Sequence, residues 1–249
     1  MHRDNAITVS AIAVLAACLA ATAHEALGHG AACLARGGTI TQLTSVYFQC
    51  SVADAWVAGG GLIGNLAAAV AAWMVLSFLP KRMARARLLA FLATVINLFW
   101  FAGYLVYAVV MNDGDPYFVA RDVLGPPTVE VRAGGIAAGV ALYAIGIAIA
   151  RGFTRTFAKE RARALLHLSW AAAAVSACAA ALAFAPDRLA ASQQGALEVG
   201  AACLPLLARF SIAPSTSDAA PEVTVSAPWI AAACVCFAVF VLTLGRGVF

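Results

Sequence analysis

The sequence predicts an all-α polytopic membrane protein of about six transmembrane helices, with a short β-hairpin between helices 1 and 2. Three observations predict it. Of the 249 residues, 63% are hydrophobic and only 11% charged, against roughly 45–50% and 25% in ordinary globular chains. Several apolar runs reach the ~20 residues that a helix needs to cross a bilayer. Between the first two runs the composition changes to residues that favour extended backbone. In such a chain nearly all backbone polar groups must be satisfied inside helices. The net charge of +4 is spread over separate loops rather than pooled with aromatics in a patch. The expected surroundings are therefore a lipid bilayer, and no nucleic-acid partner is expected.

Residues 6–35 form the first apolar run. Arg3, the apolar core and Ala21-Thr22-Ala23 also resemble a signal peptide with its cleavage site. The apolar character resumes through residues 31–35, which favours one continuing helix. Gly37-Gly38 then stops it. Thr39, Ile40, Thr41, Leu43, Thr44, Val46, Tyr47 and Phe48 predict the hairpin. Further helices are expected at about 55–79, 88–111, 134–150, 164–185 and 229–244. Residues 112–135 read as an acidic, turn-rich connection. The segment 197–213 is apolar but interrupted by Glu198, Pro205 and Arg209, and reads as an interfacial or re-entrant helix. A Pro/Ser/Thr-rich loop follows to residue 228. The whole chain reads as a single integral membrane domain, 1–249, in which 132–249 add further helices and an outer loop to a core of 1–131.

Basic residues set the expected orientation. Lys81, Arg82, Arg85 and Arg87 form one basic loop, and Arg151, Arg155, Lys159, Arg161 and Arg163 another. Both belong on the cytoplasmic side. A six-helix count then places both termini in the cytoplasm, and the hairpin, the acidic stretch and residues 186–227 outside. The expected location is a plasma (bacterial inner) membrane. The seven cysteines include no C-x-x-C pair, so neither a cysteine zinc site nor a redox motif is indicated. Cys50 and Cys203 fall in predicted outer segments and could pair.

The chemistry concentrates in His24–Gly30, HEALGHG, which holds two of the four histidines. Ionisable groups inside a membrane helix are costly and mark function by default. A His-Glu pair followed by a second His is a familiar way to hold zinc beside a general base. On a regular helix, however, residues five apart diverge by ~140°, against ~40° for residues four apart. His24 and His29 can share an ion only if the helix bulges into a π-turn, and Gly28 is the expected place. The alternative is a polar packing network without metal. Asn65, in the glycine-rich start of the second helix, and Asn97, in the third, read first as interhelical hydrogen-bonding residues. Gly59, Gly60, Gly61 and Gly64 suit either tight packing or a substrate role.

HEALGHG matches the H-E-x-x-G-H motif of the dipeptidyl peptidase III family, which shares its histidine spacing but is soluble. The order HEALGHG, then TITQLTSVYF, then Gly61-Leu62-Ile63-Gly64-Asn65 resembles the site-2 protease family of intramembrane zinc metalloproteases over roughly residues 10–115. That resemblance implies a zinc-dependent endopeptidase acting on a membrane protein or peptide substrate. His24 and His29 would be Zn²⁺ ligands, Glu25 the general base and Asn65 a residue holding the substrate backbone or oxyanion. It also implies a downstream Asp as third ligand, for which Asp113 and Asp115 are candidates and Asp115 is preferred. Neither stands in the family's full N-P-x-x-x-L-D-G pattern. The competing function is a non-enzymatic transporter or assembly factor that uses the His/Glu cluster as an ion site or packing network.

Overall fold

The computed structural model describes residues 4–155, 157–208 and 221–248. Among these, six helices are long and apolar enough to cross a membrane: α1 (Ala6–Ala35), α2 (Ala55–Phe78), α3 (Ala84–Met111), α5 (Val129–Thr154), α6 (Lys159–Ala181) and α8 (Ala227–Gly245). Two shorter helices are α4 (Asp115–Leu124) and α7 (Arg188–Gly195). Strands β1 (Ile40–Leu43) and β2 (Phe48–Cys50) form the antiparallel hairpin between α1 and α2. The predicted class and the count of six are as observed. Helices reach further into the basic segments than expected, taking in Arg85 and Arg87 on α3 and Arg161 and Arg163 on α6.

Apolar residues lie on both sides of the bundle wall. Trp73, Met74 and Phe78 on α2 and Val140 and Ile145 on α5 are exposed, a surface suited to lipid rather than water. The centre is α1, which packs on α3, α6 and α8. Its Ile12, Ala13, Ala16 and Ala20 are completely buried. Lipid tails are as apolar as the side chains, so close packing of small residues replaces the hydrophobic effect as the source of cohesion between helices. Several polar side chains in the helices bond their own backbone. Thr94 and Thr154 donate to the carbonyls of Ala90 and Ala150 at 2.8 Å. Asn97 donates to Ala93 O at 2.7 Å, so it bonds its own helix rather than a neighbour.

The hairpin is clasped at both ends. Asp54 caps α2 by accepting from Trp56 N at 3.0 Å and Val57 N at 2.9 Å, and Arg36 at the end of α1 reaches it at 2.8 Å. These contacts, the Val57 bond first, hold the Asp54 carboxyl below the usual range. A disulfide joins Cys33 to Cys50. The suggested Cys50–Cys203 pair is thereby corrected: Cys203 is free and buried. The chain reverses at Gly37 and lays β2 back on α1, and Gly38 is required because a Cβ there would lie 2.5 Å from Cys50 Sγ. Replacing both cysteines by serine is expected to cost about 2–4 kcal/mol, read as a lower melting temperature in detergent. An unchanged melting temperature would show that the bond adds nothing.

The largest departure lies after α6. Residues 186–227 were expected to face outward, with 197–213 interfacial or re-entrant. Instead α7 and the turns after it run back through the bundle, antiparallel to α6. A Cβ on Gly195 would meet Ala177 O at 3.1 Å, and Trp170 Nε1 donates to Gly200 O at 2.8 Å. This path comprises α7, a π-turn (Ala196–Ala201) and a 3-10 turn (Leu204–Leu207). The part of the expected helix and loop at 209–220 lies outside the described residues.

The chain re-emerges beside the basic segments. Asn5 N donates to Val223 O at 2.8 Å, Ser226 N to Thr8 Oγ1 at 3.1 Å, and Arg85 Nε to Thr224 O at 3.2 Å. At the other end of α8, Leu43 and Val248 exchange two backbone hydrogen bonds. Helices α1 and α8 are therefore parallel, and the first and last described residues lie on opposite faces. Beside the six long helices, residues 188–207 thus form a broken segment inside the bundle that no uninterrupted apolar run announces.

Candidate metal centre

Helix α1 changes character over Thr22–Gly30, the whole HEALGHG stretch, where it is a nine-residue π-helix. Bonds from i to i+5 bring residues five apart onto one face, so His24 and His29 converge. The required distortion is thus present, but it spans two turns rather than one point near Gly28. Gly28 serves close approach: a Cβ there would lie 2.5 Å from Gly60 O and 2.8 Å from Gly61 Cα. Gly60 is restricted in return, since its Cβ would meet Gly28 O at 2.7 Å. Packing accounts for these glycines, and Gly61 does more. A Cβ on Gly61 would stand 2.6 Å from His24 Nε2 and closer still to His29 Nε2. The two imidazoles sit directly against its bare backbone.

Asp115 arrives from the far side. Helix α3 ends at Asn112 in the left-handed region, Gly114 turns with φ +86°, and Asp115-Pro116 opens α4. A Cβ on Gly114 would collide with Tyr104 at 2.7 Å. Asp115 Oδ2 lies 3.2 Å from His24 Nε2 and 3.1 Å from His29 Nε2, and the two Nε2 atoms are 3.2 Å apart. Asp113 is exposed at the rim of the same cavity and outside the cluster. Of the two candidate ligands, the Asn112–Gly114 turn carries Asp113 outward and Asp115 inward, toward the histidines.

The donor set fits a metal ion. Four-coordinate zinc with ligands at 2.0–2.1 Å needs its ligand atoms about 3.3 Å apart, close to the three observed separations. His29 Nδ1 donates to Val57 O at 2.7 Å, which leaves the Nε2 lone pair of the neutral ring facing a carboxylate oxygen. Converging acceptors repel unless a cation lies between them. Each ring is also backed by an aromatic face: Trp100 stacks on His24 at 4.8 Å and Phe48 on His29 at 5.2 Å. His24 Nδ1 has no hydrogen-bond partner among the described residues.

Glu25, 2% exposed, lines the same cavity of about 850 Å³ as His24, His29 and Asp115. One of its carboxylate oxygens has no hydrogen-bond partner. The cavity is closed on the hairpin side by Thr41, Phe48 and Gln49 and bordered by Phe118 and Arg121 of α4. Asn65 lies one turn along α2 from Gly61, completely buried, with both amide atoms unpartnered. It faces the π-helix, as Gly61 and Gly64 do, but does not line the cavity. The edge of β1 at Leu43 is occupied by Val248. Trp100, Phe48 and the Val57 carbonyl were not identified from sequence. Their contribution is a contact with a ligand ring, and no local pattern records that.

Fold and site together define a polytopic helical membrane protein with a candidate three-ligand metal centre, His24–His29–Asp115. Comparison with protein-family models, curated proteins and solved structures finds no match to this chain.

Proposed function

We propose that the protein is a membrane-embedded zinc endopeptidase acting on membrane proteins or peptides. The observation that carries this reading is the triangle of His24, His29 and Asp115 ligand atoms with a buried, incompletely bonded Glu25 beside it. Two imidazoles and one carboxylate leave a fourth position free, the arrangement of catalytic rather than structural zinc. Bound there, zinc would lower the pKa of a ligated water toward ~7 and polarise the scissile carbonyl.

The chain's own residues supply the rest. Glu25 takes the water's proton and returns it to the departing amine. Asn65, with an unspent buried amide, holds the substrate backbone or oxyanion if the scissile bond reaches the π-helix. With the β1 edge at Leu43 closed by Val248, an extended substrate segment is added along β2. The basic segments lie opposite the hairpin, and the hairpin carries the disulfide. Disulfides persist in oxidising compartments, and Lys and Arg are retained in the cytoplasm. Both support a site opening toward the extracytoplasmic side, with Asp4 on the cytoplasmic side and Val248 outside.

Metal analysis of the purified protein tests the ligand assignment. About one zinc per chain is expected, lost on His24→Ala, His29→Ala or Asp115→Asn and retained on Asp113→Asn. Zinc retained by Asp115→Asn and lost by Asp113→Asn would reverse the assignment. A metal-free wild-type protein that still hydrolyses peptides would remove the reading altogether.

A further inference from the structure

A second cavity, of about 320 Å³, adjoins the metal centre behind Trp100 and Tyr104. Four aromatic residues line it, Trp100, Tyr104, Tyr107 and Tyr143, together with Gln194 and Glu198 from the broken segment. Trp100 stacks on His24, and Tyr104 is 5.8 Å from the same ring, so an occupant lies within one residue's reach of the ligands. Gln194 lines both this cavity and the metal cavity. Gly103 also lines it, and a Cβ there would press to 2.7 Å on the Tyr143 hydroxyl.

Glu198 sets the chemistry. It is 5% exposed and accepts from Gln194 Nε2 at 2.9 Å. Among the described residues no Lys, Arg or His pairs with it. A carboxyl group at this depth is expensive without a positive partner. Aromatic faces attract cations and do so more strongly where water is excluded. An apolar, aromatic-walled cavity with one carboxyl group matches a side chain with a hydrocarbon stem and a charged end.

We propose that this cavity is a specificity pocket for a lysine or arginine side chain of the substrate close to the scissile bond. Its cation would meet Glu198 and the rings of Trp100, Tyr104, Tyr107 and Tyr143. This rests on the peptidase reading above, but it is tested by binding, without turnover.

Fluorescent peptides identical except for one position, Lys, Arg, norleucine or Glu, are titrated against the zinc-loaded Glu25→Gln protein and followed by anisotropy. Lys and Arg peptides should bind more tightly than norleucine and Glu peptides. Adding Glu198→Gln should weaken Lys and Arg binding about 10- to 100-fold, the range of a lost charge-assisted hydrogen bond, and leave norleucine binding unchanged. Tyr143→Leu should act in the same direction, and it carries the test if Glu198→Gln does not fold. Equal affinity for Lys and norleucine peptides, or indifference to both substitutions, overturns the pocket. Cleavage by the wild-type protein is measured separately. Selective binding without cleavage removes the peptidase reading and keeps the pocket, whereas cleavage without selectivity does the reverse.

Discussion

If the protein is the proposed zinc peptidase, Glu25→Gln is expected to leave the zinc content of the purified protein unchanged and to lower peptide hydrolysis by about 10²–10⁴-fold, the usual contribution of a positioned general base. The separation of the two effects follows from the geometry. The metal is assigned to His24, His29 and Asp115, and Glu25 is outside that group. The substitution is nearly isosteric and removes a charge from a buried position, so the π-helix should keep its packing against α2. The amide retains a hydrogen-bond acceptor but cannot take up a proton. Zinc is measured by elemental analysis and hydrolysis with a membrane-peptide substrate in detergent. Full activity in Glu25→Gln would sink the mechanism, and loss of zinc would turn Glu25 into a ligand. If the protein instead uses the cluster as an ion site or packing network, Glu25→Gln has little effect on its function.

Gly61→Ala is expected to lower zinc affinity at least about tenfold, comparable to loss of an outer-shell partner. The added methyl would stand 2.6 Å from both Cε1 and Nε2... of His24 and nearer to His29 Nε2, a separation that real side chains do not tolerate. Either the imidazoles shift or α2 withdraws. Zinc ligands must keep their distances within about 0.2 Å, so either response weakens the site, and overpacking adds about 1–3 kcal/mol of destabilisation. Gly59→Ala is the control, because its Cβ would meet only Val119 Cγ2, at 3.5 Å. Competition with a chromogenic chelator reads both variants. Wild-type affinity in Gly61→Ala would mean that the α2 backbone does not seat the rings.

The hairpin, the six apolar helices and the HEALGHG cluster were all readable along the chain, since each rests on local composition or spacing. The five-residue separation of His24 and His29 even dictated the kind of distortion needed. Its extent was not readable, because the nine-residue π-helix is held by reciprocal contact of Gly28 with Gly60 and of Gly61 with the rings. Asn97 illustrates the same limit: its amide finds a carbonyl in its own helix, which spacing alone could not distinguish from a neighbour's.

The sequence by itself determined a membrane class, because hydrophobic length and composition are properties of a segment taken alone. It also determined which residues of the first helix could bind metal. Only the tertiary structure decided that Asp115 and not Asp113 completes the cluster, through the Asn112–Gly114 turn. It alone decided that Cys33 pairs with Cys50, and that residues 188–207 pass back through the bundle. That last path was hidden for a physical reason. Glu198 and Pro205 break the apolar run, yet burial within protein lets a broken helix satisfy its backbone at membrane depth, as Trp170 does for Gly200.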